Sequence, residues 1–112
     1  MATNTYKILG QICPQANTAN TLYTVPNGKT AVVSTINVCN PSTSSNVDVR
    51  IALVPSGSSL ANQHYVTYGL PIPYSDSISL SLGIGLAAND SIIVYANNAT
   101  NIAFGAYGIE IT

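Results

Sequence analysis

Charge is the scarcest thing in this sequence. Seven of its 112 residues are ionised at neutral pH: Lys7, Lys29, Arg50, Asp48, Asp76, Asp90 and Glu110. An ordinary soluble domain draws roughly a quarter of its residues from this class. Three scattered cations cannot form the clustered basic patch that phosphate backbones require, so no nucleic-acid partner is expected. A surface left to Ser, Thr, Asn, Gly and apolar side chains has little repulsion against association. A homo-oligomer is therefore expected, and function through contact with other proteins.

Other absences narrow the field further. No apolar run approaches the roughly 20 residues that span a bilayer. The stretch from Leu80 to Ala88 is broken by Gly83 and Gly85, and no membrane partner is expected. The first residues, Met1 to Lys7, lack the basic and apolar segments of a secretory signal, which places synthesis in a cytoplasm. Two cysteines, Cys13 and Cys39, make no disulfide framework. They read as small buried apolar residues, with a bridge between them as the alternative. The sequons Asn89-Asp90-Ser91 and Asn98-Ala99-Thr100 read as turns.

Residues able to carry chemistry are few. His64 is the only histidine, and no serine lies in a Gly-x-Ser-x-Gly elbow. Asp48, Asp76, Asp90 and Glu110 lie in separate segments, two at turn starts where Asp caps amides. One His and two Cys 26 residues apart fall short of a zinc site. Asn89, Asp90, Asn97 and Asn98 would offer calcium a single carboxylate. Gly83-x-Gly85 is not a phosphate loop. The expectation is no catalytic residue, no metal and no cofactor.

What is present is period two. Val47, Val49, Ile51 and Leu53 alternate with Asp48, Arg50 and Ala52. Ile78, Leu80, Leu82, Ile84 and Leu86 alternate with Ser77, Ser79, Ser81, Gly83 and Gly85. Such alternation puts each set on one face of a strand. Further strands are read at 5–12, 21–25, 30–40, 64–68, 91–96 and 101–111 from β-branched and aromatic content. The last is expected to bend or divide at Gly105 or Gly108. Pro26-Asn27-Gly28-Lys29 reads as a tight hairpin, and Pro71-Ile72-Pro73 as an extended connection. The fold expected is all-β, a single antiparallel β-sandwich of about eight strands over residues 1–112, jelly-roll or immunoglobulin-like. Residues 1–20, with the polar run Pro14–Asn20, read as an N-terminal arm or a loop-rich edge.

Several blocks carry a resemblance. They are Leu22-Tyr23-Thr24-Val25-Pro26-Asn27-Gly28-Lys29-Thr30-Ala31-Val32-Val33, Val38-Cys39-Asn40-Pro41 and Leu53-Val54-Pro55-Ser56-Gly57. Leu86-Ala87-Ala88-Asn89-Asp90-Ser91-Ile92 and Phe104-Gly105-Ala106-Tyr107-Gly108-Ile109-Glu110 follow. In this order, over residues 20–112, the chain resembles small β-sandwich virion structural proteins of tailed bacteriophages. The resemblance implies a place in the virion, assembled in the host cytoplasm. It implies the major capsid protein or other virion structural proteins as partners, and no catalytic motif. A capsid decoration (cement) protein is the leading expectation. A tail, baseplate or fibre-associated module, or a host-surface carbohydrate-binding module, is the alternative.

Seven tyrosines are many for this length. Tyrosine joins a large apolar body to one hydroxyl, which suits an interface anchor. Tyr65, Tyr68 and Tyr74, around the Pro71–Pro73 bend, are the candidate interface.

Overall fold

In the computed structural model, which describes residues 3–97 and 102–112, eight strands form two four-stranded antiparallel sheets. They are β1 (Asn4–Ile12), β2 (Asn20–Thr24), β3 (Thr30–Asn40), β4 (Val47–Val54), β5 (Tyr65–Ile72), β6 (Asp76–Leu86), β7 (Ser91–Ala96) and β8 (Ala103–Ile111). One turn of 3₁₀ helix, Asn62–His64, precedes β5. Sheet A has the order β1-β8-β3-β6 and sheet B the order β2-β7-β4-β5. The partners β4:β5, β3:β6, β2:β7 and β1:β8 are nested, so the chain is one long hairpin rolled over itself. That course is the jelly roll, and it decides between the two sandwich topologies expected.

The core lies between the sheets. Val33, Ile36, Val38 and Phe104 of sheet A pack with Val49, Ile51, Ile92 and Val94 of sheet B. The alternation of β4 holds: Val47, Val49 and Ile51 are buried and Leu53 packs at the margin. In β6, Ile78, Leu80 and Ile84 are half-buried and Leu86 is buried. This strand is an edge of its sheet, so its apolar face is only partly covered. The Leu82 side chain is not among those described. Ala52 and Val54, on the opposite face of β4, are also buried.

Simple alternation fails where strands bulge. In β3 the buried set runs Ala31, Val33, then Ile36, Val38 and Asn40, and the register shifts between Val33 and Thr35. An inserted residue reverses which face later side chains occupy. Asn40 is buried but satisfied. Its amide nitrogen donates to the carbonyls of Ser45 and Ile72, and its oxygen accepts from the Ser42 amide.

Four expectations change. The Pro26–Lys29 turn closes, with the Lys29 amide donating to the Pro26 carbonyl and Gly28 at φ 80°. It is not a hairpin, because the strands it joins lie in opposite sheets. Pro71 and Ile72 belong to β5, where an edge position tolerates a missing N–H. The closing strand is continuous through Gly105 and Gly108. Cys13 is exposed and Cys39 half-buried, and both thiols are free. Of residues 1–20, Asn4–Ile12 is an edge strand, and the following loop is fastened where the Asn17 amide donates to the Ala96 carbonyl. No helix among the described residues is long and apolar enough to cross a membrane.

Candidate interface faces and a buried carboxylate

Each sheet turns one face outward, and the registers place its side chains in rows. On sheet A, Tyr6 of β1 lies opposite Ile109 of β8, which lies opposite Val32 of β3. In the neighbouring row, Ile8 lies opposite Tyr107, which lies opposite Thr35. Farther along come Gln11, Gly105 and Asn37, with the Asn37 amide donating to the Ser79 hydroxyl of β6. Tyr6 is 81% exposed and Ile8 54%. No charged residue occupies these rows.

The outer face of sheet B is different. Arg50 of β4 lies opposite Tyr68 of β5 on one side and Tyr95 of β7 on the other. Its guanidinium carbon is 4.1 Å from the Tyr68 ring centre and 4.2 Å from that of Tyr95. Tyr65 meets Tyr68 edge-to-face, with ring centres 5.0 Å apart. A hollow of about 350 Å³ is lined by Asn62, Tyr65 and Tyr68.

Period two would put Tyr65 and Tyr68 on opposite faces. They share one because β5 carries one extra residue between them against β4; a second bulge lies just beyond Tyr68. Leu70 and Tyr68 face Val49 and Arg50, leaving Gly69 as the extra residue. Thr67 and Tyr65 face Ile51 and Ala52, leaving Val66. Gly69 has φ 77°, a conformation that favours glycine. Of the three predicted interface tyrosines, the structure therefore joins Tyr65 and Tyr68. Tyr74 is 52% exposed but stands in the turn after β5, roughly 20 Å along the chain from Tyr68 at strand rise.

The remaining charges are mostly structural. Asp90 accepts from the Ser56 and Ala87 amides, and Asp76 from the Ser77 amide. His64 uses Nδ1 to accept from the Ala61 amide, closing the 3₁₀ turn. Asn89 and Asp90 lie at one end of β7 and Asn97 at the other, so these oxygens do not converge. Asn98 and the sequon at 98–100 fall outside the described residues.

Glu110 is the site the sequence reading missed. It is 4% exposed, on the inward face of β8. The Tyr23 hydroxyl of sheet B donates to its Oε2 at 2.6 Å. Lys7 Nζ lies 3.3 Å and Lys29 Nζ 3.5 Å from Oε1. The Tyr23 hydrogen bond, followed by the two lysines, holds the Glu110 carboxyl below its ordinary range, against the opposing push of burial. Burial, then the bond and charge of Glu110, push the Tyr23 phenol above its ordinary value. A signal was present: Phe104, Ala106, Gly108 and Glu110 share one phase, which puts an acid in step with core residues.

No protein-family model matches the chain, and no curated protein matches it. Among solved structures, a chain of infectious bursal disease virus, Gt strain, is similar over 98% of this chain. The sequence identity is 10% and the TM-score 0.49. This chain spans 31% of the length of that one.

Proposed function

We propose that this protein is a structural component of a virus particle that works by contact, most concretely a decoration protein docking on a bacteriophage shell. The observation that carries the reading is the outer face of sheet A, where Tyr6 and Ile8 stand exposed in rows without charge. An apolar patch facing water adds nothing to the fold of its own domain and marks a surface that a partner covers. The sequence resemblance to tailed-phage virion proteins supplies the partner class, the major capsid protein, with a tail or baseplate station as the alternative. A standard interface buries about 1,600 Å² in total, and repetition over a lattice multiplies its effect. The protein works without catalysis in this reading.

Antibody labelling of purified particles tests it. Label distributed over the whole shell is the expected result. Retention through about 1 M salt is expected too, because apolar docking is little affected by screening. A Tyr6→Ser/Ile8→Ser variant should be shed. Label at a single vertex would replace decoration with the tail alternative, and absence from particles would overturn the virion reading.

The hollow beside Tyr65 and Tyr68 favours one second reading, a host-surface carbohydrate site. Binding on a glycan array that Tyr68→Ala abolishes would support it. No binding by the native protein would remove it.

A further inference from the structure

The outer face of sheet B carries two adjacent rows of opposite character. One is Tyr95, Arg50 and Tyr68, in register across β7, β4 and β5. The other is Asn97, Asp48 and Pro71. Asp48 is opposite Pro71 on β5, and its amide and carbonyl both bond to Asn97. Asp48, Asn97, Pro71 and Tyr68 are all exposed. Arg50 and Asp48 are the only charged residues of β4, two positions apart on one face. The Arg50 guanidinium is held between two rings, which restricts its position on this face. The ion pairs among the described residues run from Lys7 and Lys29 to Glu110, not to Arg50.

We propose that this face binds a second copy of the chain, with β4 laid antiparallel on β4 about a two-fold axis that crosses the strand at Val49. Such an axis exchanges the two rows. Arg50 of each copy meets Asp48 of the other, Tyr68 meets Pro71, and Tyr95 meets Asn97. Sheets packed face to face lie about 10 Å apart, a gap that one Arg and one Asp side chain bridge together. The contact is isologous, the commonest arrangement in soluble homo-oligomers. Charge also selects the direction. A parallel arrangement would set Arg50 on Arg50 and Asp48 on Asp48, and like charges in register exclude it. The inference rests on the self-association expected of so neutral a surface, and not on the virion reading.

Sedimentation of the purified chain tests it, with far-UV circular dichroism confirming that each variant is folded. The native protein should sediment as a dimer that loosens as salt rises. Arg50→Asp and Asp48→Arg should each weaken association by about tenfold or more. The double variant D48R/R50D, which restores opposite charges across the axis, should recover it. Three results would overturn the proposal: a monomeric native protein, a dimer indifferent to both single reversals, or a folded double variant that stays monomeric. A dimer lost instead in Tyr6→Ser/Ile8→Ser would move the interface to sheet A. The three overturning results leave the labelling of particles by the native protein untouched, so the two proposals fail separately.

Discussion

Glu110 and Arg50 solve the same problem in opposite ways. Each is a charge in a protein that has few, and each is held by tyrosine. Glu110 lies between the sheets and takes the Tyr23 hydroxyl as a hydrogen-bond donor. Arg50 lies on the outside, with the rings of Tyr68 and Tyr95 beside it. Inside, the polar tip of tyrosine takes the place of water as a hydrogen-bond donor to a buried charge. Outside, the aromatic face steadies a charge that still meets it. The first arrangement ties the two sheets together, and the second is the one that the proposed dimer would use.

Removing Glu110 should have the largest effect on stability. Glu110→Ala leaves the Tyr23 hydroxyl buried without its acceptor and frees two lysines at the sandwich end. A loss of about 3 kcal/mol is expected in a urea unfolding experiment, at the low end for a broken buried pair because both lysines reach solvent. Tyr23→Phe keeps the ring and deletes the bond, for about 1.5–2 kcal/mol. The native protein should also lose stability as pH falls through the lowered Glu110 pKa, because the unfolded carboxyl takes up its proton first. On the alkaline side stability should fall above the ordinary phenol value of 10.0, where the unfolded Tyr23 ionises and the folded one does not. Both limbs should shrink in Tyr23→Phe; unchanged limbs would mean that this pair does not set them.

Arg50→Ala sharpens the contrast. It should cost the isolated fold no more than about 1 kcal/mol, the value of an exposed cation–π contact, while weakening association, though less than the reversal Arg50→Asp does. A loss as large as that of Glu110→Ala would erase the distinction between the two charges. The smallest effect belongs to Lys29→Ala, a few tenths of a kcal/mol, because a half-exposed ion pair is worth little. Its unfolding midpoint should be nearly indistinguishable from the native one.

The fold was legible where strands are regular. In β4 and β7, period two names the core residues directly: Val47, Val49 and Ile51, then Ile92 and Val94. It was not legible where a strand gains a residue, because a bulge reverses the faces without changing local composition. The extra residue Val66 of β5 brings Tyr65 beside Tyr68, so the two met for a reason that alternation argues against. Tyr74 was grouped with them by nearness in sequence, but an extended chain carries it away. Neither Tyr95–Arg50–Tyr68 nor Tyr23–Glu110 could be assembled from sequence, since each joins strands whose pairing only the three-dimensional course reveals. The inward phase of Glu110 was nevertheless readable, and a lone acid in step with Phe104 and Ala106 is the kind of exception worth following.

The nested order of strand partners has a kinetic consequence. The innermost pair, β4 and β5, closes across the short stretch between Val54 and Tyr65, whereas β1 and β8 join the two extremities of the chain. Once an inner pair forms, the loop left for the next is shorter than the sequence separation suggests, and the entropic penalty of closure grows only with the logarithm of that length. The roll can thus zip from its middle outward, on the order of milliseconds to seconds for so non-local a topology. The Tyr23–Glu110 bond, which ties β2 to β8, belongs to the last stage of that sequence, so its loss should quicken unfolding far more than it slows refolding.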